Sequence, residues 1–220
     1  MNTIPRTVVA GAWVRRRFVL CYLFATLMSV VGLSQNAAAA NAPDVAVRAV
    51  FDDLLDTLAK RPADGPLSPE EIRNIFFSLL SPHIDYETLA RWILQKHWTD
   101  ATIEQHGAFI SAFQNYIINT YALALSADQK ITLNVKENPL VKKNFAVVDA
   151  DLSIAESEAV PLTFRLLQQG DLWKLFDVSF SGVSLAKTFR SDFNYVARDG
   201  GIEAVTDFLI KRQADNLIAE

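Results

Sequence analysis

Residues 172–193 read LWKLFDVSFSGVSLAKTFRSDF. Two periods meet in this run, and their meeting decides the fold. Leu172–Phe180 alternates, with Phe176, Val178 and Phe180 on one face and Trp173 and Leu175 on the other, which is the period of a strand. Ser181-Gly182 breaks the run. From there Val183, Ala186, Phe189, Phe193 and Val196 fall at helical spacing. The stretch predicts a strand that ends in a sharp corner and feeds an amphipathic helix. It contains no nucleophile–base pair, no metal-ligand spacing and no phosphate loop.

Upstream of the corner the period stays at two. Gln169-Gly170-Asp171 is a hairpin turn. Val160–Leu167 places Val160, Leu162, Phe164 and Leu166 on one face. Phe145–Ile154 does the same with Ala146, Val148, Ala150, Leu152 and Ile154. Asn138-Pro139 is a break, and before it Ile131, Leu133 and Val135 alternate with polar residues. These runs predict four antiparallel strands, each with one mainly buried face.

Further upstream the period is helical. Val45–Lys60 carries Val47, Val50, Phe51, Leu54, Leu55 and Leu58 on one stripe. Arg61–Pro69 has three prolines and no periodicity, so it reads as a loop. Ser68-Pro69-Glu70-Glu71 is a capped start, with Ser68 and Glu71 forming a capping box. The helix it opens holds Ile72, Ile75, Phe76, Leu79 and Leu80 and ends before Pro82. Asp85 caps the next helix, with Leu89, Ala90, Ile93 and Leu94. Thr102 caps the longest helix, about Ile103–Ser126, whose inner face is rich in rings: Phe109, Ile110, Phe113, Tyr116, Ile117, Thr120, Tyr121 and Ala124. After the corner helix, Gly200-Gly201 is a stop. Ile202, Val205, Leu209 and Ile210 then support a last helix. Helices, then a small curved four-stranded antiparallel sheet, then helices, define an α+β domain spanning 41–220.

Residues 1–40 read as a secretory signal peptide. Arg6, Arg15, Arg16 and Arg17 form a basic region, Phe18–Leu33 an apolar one, and Ala37–Ala40 a small-residue cleavage site. The apolar run is short for a membrane span. The arginine cluster fits the general export route and also has a twin-arginine look. Cleavage would remove four basic residues and no acid from a chain of formal charge −4, along with the only cysteine, Cys21. The remaining domain is acidic and free of disulfides. That suits a bacterial periplasm and argues against nucleic acid as a partner.

The residues that carry enzyme chemistry are sparse. His83, His97 and His106 lack a zinc-motif spacing. Ser181-Gly182-Val183-Ser184 departs from the G-x-S-x-G nucleophile elbow. Asp149 and Asp151 share a strand face, most simply a solvated one. Asp177 lies mid-strand among apolar neighbours and must be paired, with Arg190 or Lys187 of the next helix as the expected partner. No cofactor, metal or catalytic group is therefore expected. The apolar inventory carries more information. A concave sheet backed by ring-rich helices forms either an ordinary core or the lining of a pocket, and periodicity alone does not separate the two.

The order of short motifs along the chain goes further. Trp173-Lys174, Asp177, Gly182-Val183-Ser184-Leu185, Phe189-Arg190-Ser191 and Phe193 resemble the closing signature of the MlaC / toluene-tolerance family. Pro82-His83-Ile84-Asp85-Tyr86, Leu89-Ala90, His97-Trp98, Ala101–Gln105, Phe109–Phe113 and Tyr121 resemble its middle segment. Gly200-Gly201-Ile202 and Leu209-Ile210 resemble its tail. The likeness spans about Phe76–Gln213. It departs from the pattern at Gln105-His106, where an arginine often follows the glutamine, and at the proline-rich loop Arg61–Pro69.

The resemblance implies a nuclear-transport-factor-like sheet extended by helices around an apolar cavity. It implies a monomeric periplasmic shuttle with phospholipid as its cargo, serving outer-membrane lipid asymmetry. The implied partners are the substrate-binding subunit of an inner-membrane ABC transporter and an outer-membrane lipoprotein–porin complex. The expected lipid-facing residues are Phe113, Tyr116, Ile117 and Tyr121 of the long helix. Val148, Leu152, Phe164, Leu166, Phe176, Val178 and Phe180 follow from the sheet, and Val183 and Phe189 from the corner. The alternatives are a hopanoid carrier, an adaptor with a filled core, and an enzyme on the same cone-shaped fold. The enzyme would bring Asp177 to Tyr116 or Tyr121.

Overall fold

A computed structural model describes residues 42–60, 67–121, 130–155 and 157–218, without the side chains of 215–218. The predicted signal peptide, most of the proline-rich loop and the end of the long helix beyond Tyr121 lie outside the described residues.

Seven helices are described. α1 (Pro43–Ala59) begins with proline in its first turn, where a missing N–H costs nothing. α2 (Pro69–Leu79) starts at the predicted capping box: the Ser68 hydroxyl accepts the Glu71 N–H at 3.2 Å, and Glu71 Oε2 accepts the Ser68 N–H at 2.8 Å. A 3-10 turn, Ser81–His83, leads to α3 (Tyr86–Leu94), capped by Asp85 through the Thr88 N–H at 3.0 Å. Gln95 adopts φ +49 and turns the chain into the short α4 (Lys96–Thr99). α5 (Ile103–Tyr121) begins at a reciprocal Thr102–Gln105 cap.

The sheet has six strands rather than the expected four: β1 (Ile131–Val135), β2 (Leu140–Lys142), β3 (Phe145–Ile154), β4 (Val160–Gln169), β5 (Leu172–Phe180) and β6 (Val183–Ser184). The two additions are three and two residues long, too short to display a period. The order is β1-β3-β4-β5-β6, with β2 also on β3, and every named pairing is antiparallel. The predicted faces of β1, β3 and β4 pair as expected: Leu133 opposes Leu152, Val148 opposes Phe164, and Ala150 opposes Leu162.

The corner is more elaborate than a strand feeding a helix. Ser181 (φ +47) and Gly182 (φ +83) occupy the two positive-φ positions of a tight hairpin. The turn sends Val183-Ser184 back to pair with Phe180 and Ser179 before the helix starts. Val183 is therefore a strand residue, 62% exposed. Ser184 caps α6 (Leu185–Val196) by accepting the Lys187 N–H at 3.1 Å. α7 (Gly201–Ile218) completes the described chain.

Apolar burial is divided among three clusters. One is wholly helical, built from α3, α4, α5, α6 and α7 around Ile93, Trp98, Phe109, Phe113, Phe193 and Leu209. The second lines the inner sheet face under α1. The third joins α1, α2 and α5 through Leu54, Phe76 and Ile118.

Candidate functional site

A β-bulge places the site. β4 and β5 pair in regular steps from Leu162↔Phe180 to Arg165↔Asp177, and then the register shifts so that Leu166 opposes Leu175. Phe176 is the extra residue. The bulge reverses the phase of β5, since an inserted residue flips every side chain beyond it. Leu175, Val178 and Phe180 therefore share the inner face with Leu166, Phe164 and Leu162, and Trp173 joins them. This corrects the expected face assignment, which set Trp173 and Leu175 against Phe176, Val178 and Phe180. The Phe176 ring lies 6.1 Å from the Phe145 ring.

The bulge also places Asp177 at the foot of α6. Its Oδ1 accepts the Ala186 N–H at 3.0 Å, and its Oδ2 accepts the Ser184 hydroxyl at 2.8 Å and Arg165 Nη1 at 2.9 Å. Arg165 also donates to the Ser179 hydroxyl at 2.8 Å. The partner of Asp177 is thus the residue opposite it on β4, not Arg190 or Lys187. Arg190 is turned aside over the Trp92 ring at 5.5 Å. Both Asp177 oxygens are occupied by these donors. Asp149, by contrast, accepts from Thr163 and Asp151 pairs with Lys136 at 3.4 Å, both on the solvated face.

Between the inner sheet face, α1, α2, the tail of α5 and the start of α6 lies a pocket of about 370 Å³. Nine of the thirteen expected site residues line it: Ile117, Tyr121, Leu152, Phe164, Leu166, Phe176, Val178, Phe180 and Phe189. Four do not. Phe113 is fully buried in the helical cluster, 5.1 Å from Phe189 and 5.6 Å from Phe193, so this part of the ring-rich helix is ordinary core. Tyr116 stacks edgewise on Phe189 at 6.2 Å. Val148 is fully buried within the sheet cluster, and Val183 stands exposed on β6.

The lining also includes helix residues that periodicity does not assign to a site: Val47, Val50, Phe51 and Leu54 of α1, Phe76 of α2, and Tyr86 and Leu89 of α3. Their signal was present as helical stripes. Which layer those stripes face depends on tertiary packing. Polar groups in the lining are few. Gln114 donates its amide to the Ser81 hydroxyl, which donates to Tyr86 Oη at 3.3 Å. Burial pushes the Tyr86 and Tyr121 phenols above their ordinary range. Burial, and then Lys174, holds the His83 imidazole below its usual value, against a smaller opposing pull from Asp53. Among the described residues no group of His, Cys, Asp and Glu could hold a metal ion, and no helix is long and apolar enough to cross a membrane.

Comparison with known proteins gives this geometry a setting. The sequence model of the family described as MlaC protein matches residues 48–211, which takes in every helix and strand named above except the ends of α1 and α7. The chain belongs to the MlaC family. One curated relative is the intermembrane phospholipid transport system binding protein MlaC of Haemophilus influenzae, 23% identical over 178 residues, covering 79% of this chain and 83% of that one. One solved structure, a phospholipid-binding protein from Ralstonia solanacearum in complex with a phospholipid, is 25% identical. It superimposes with a TM-score of 0.71 over 79% of this chain and 98% of the other. The α+β architecture read from the alternating and helical runs is thus that of a family with lipid-binding members.

Proposed function

We propose that this protein is a phospholipid-binding shuttle of an intermembrane lipid transport system, with the pocket as the seat of the acyl chains. The observation that carries the reading is the lining. Well-packed interiors leave few voids larger than a water molecule, so an apolar pocket of about 370 Å³ is a space kept for a ligand. Each methylene moved from water into it contributes about 0.8 kcal/mol, so acyl chains bind there without any fixed charge. The names of the Haemophilus and Ralstonia relatives point to the same cargo.

The rest of the reading follows from this cargo. Residues 41–220 act as one lipid-binding domain, delivered to the periplasm by the signal peptide at 1–40 and working without a cofactor. The protein receives or delivers lipid at an outer-membrane lipoprotein–porin complex and at the substrate-binding subunit of an inner-membrane ABC transporter. It does so as a monomer and without catalysis. The engagement of both Asp177 oxygens by Arg165, Ser184 and Ala186 supports the last point, because it gives the carboxylate a structural role at the foot of α6 rather than a partnership with Tyr116 or Tyr121.

Transfer of a fluorescent phosphatidylglycerol between two vesicle populations tests the reading. The delipidated protein is expected to accelerate exchange in proportion to its concentration. Exchange at the protein-free rate would refute it.

A further inference from the structure

The polar groups of the pocket lining are nearly all engaged with one another. Ser81 is bound to Gln114 and Tyr86, Asp177 to its three donors, and Trp173 also has a partner. Tyr121 is a neutral phenol. His83 is different: it lines the pocket, and its ring makes no hydrogen bond among the described residues.

Immediately beside it, Lys174 Nζ donates to the Pro82 carbonyl in a bond open to solvent. This contact folds the lysine over the edge of β5 toward the 3-10 turn. Among the described residues no carboxylate lies within ion-pair distance of Lys174. Asp85, two residues beyond His83, is engaged by the Thr88 N–H and by the Gln169 amide at 2.6 Å. Asp53 of α1 is the acid that acts on His83. An uncompensated cation and an unengaged ring nitrogen thus stand together where the apolar lining meets the surface.

We infer that His83 and Lys174 form a subsite for a phosphate ester at this rim, gripping the headgroup phosphate of a lipid whose chains occupy the pocket. The inference rests on the carrier reading and deepens it. A neutral imidazole donates one N–H, and an ammonium supplies charge and further donors, a pairing suited to a phosphate oxygen. The grip is on the phosphate shared by all glycerophospholipids. It selects against lipids that lack one.

The test is competition against a protein-bound fluorescent phosphatidylglycerol. Dioleoylphosphatidic acid is expected to displace it at a concentration about fivefold lower than dioleoylglycerol, the size of one partly exposed charge contact. H83Q/K174Q should abolish this difference, so that the two lipids displace the probe at equal concentrations, and K174E alone should reverse it. Exposed Lys142, on β2, serves as control: K142Q should retain the preference. Equal displacement by the two lipids in the unaltered protein, or a preference that survives H83Q/K174Q, overturns the subsite. Inorganic phosphate that competes with phosphatidic acid but not with dioleoylglycerol would assign the residues to free phosphate and overturn the headgroup grip. Failure of the protein to bind the labelled lipid at all would overturn the carrier reading and the subsite with it.

Discussion

Asp177 accepts the backbone N–H of Ala186 at 3.0 Å, so a sheet residue satisfies one of the free donors at the start of α6. The same carboxylate holds Ser184, the residue that caps that helix, and Arg165 across the β4–β5 register. One buried group fixes the angle between the sheet and the helix that together wall the pocket. Asp177→Ala leaves a helix N–H, a hydroxyl and a guanidinium without this acceptor. The expected loss is about 2–4 kcal/mol of stability, read from urea unfolding. Asp177→Asn, which keeps one acceptor oxygen, should fall between. A loss under about 0.5 kcal/mol, the level of an ordinary surface substitution, would contradict the role assigned to this corner.

The hairpin beneath that corner gives a second, purely conformational test. Gly182 sits at φ +83 with nothing within 4 Å of where a side chain would begin. The cost of Gly182→Ala is therefore backbone strain alone, about 1–2 kcal/mol. Gly182→Asn should cost clearly less, because asparagine tolerates the left-handed region. Equal costs for the two would show that the site responds to contacts rather than to φ.

Filling the pocket separates a carrier from an adaptor. Val178 lines the pocket and Val148 does not, although the two flank Phe164 in the same cross-strand row. Val178→Trp should fold and fail to retain lipid. Val148→Trp places an indole where the existing side chain is fully buried, and should destabilise by about 3 kcal/mol or more. Lipid retention by a folded Val178→Trp variant would move the cargo elsewhere.

His83 predicts a pH dependence. Burial holds its imidazole below the ordinary 6.5, so between the two values the unfolded chain binds more protons than the folded one. Stability attributable to this residue therefore rises with pH across that interval and is lost as pH falls below 6.5 and then through the folded value. Urea unfolding at pH 5, 6 and 7.5 should show a smaller acid-side loss for His83→Gln than for the unaltered protein. Identical profiles would contradict the burial of the ring.

These tests also mark where the sequence was legible. Ser68 and Glu71 announced a helix start because a capping box is a local device, and the Ser68–Glu71 bonds are in place. Val148, Ala150 and Leu152 announced their shared face because β3 runs unbroken. The bulge at Phe176 was hidden. Leu175 and Phe176 are both apolar, so LWKLFDVSF fits either phase, and only pairing with β4 decides. β6 was hidden because Val183 also continues a helical stripe. Phe113 was placed in the pocket wall for a related reason: the inner face of α5 is ring-rich throughout. Its middle meets Phe189 and Phe193, while only Ile117, Ile118 and Tyr121 reach the pocket. Site membership depended on which neighbour a stripe met, and neighbours are a property of the fold.

The central claim is that the pocket holds phospholipid acyl chains. Native mass spectrometry of the protein, purified from cells without detergent, tests it most directly. The expected result is a folded protein carrying a glycerophospholipid, and loss of that lipid in Val178→Trp with folding retained. A folded protein that emerges without lipid, and takes none up from phospholipid vesicles, would contradict it.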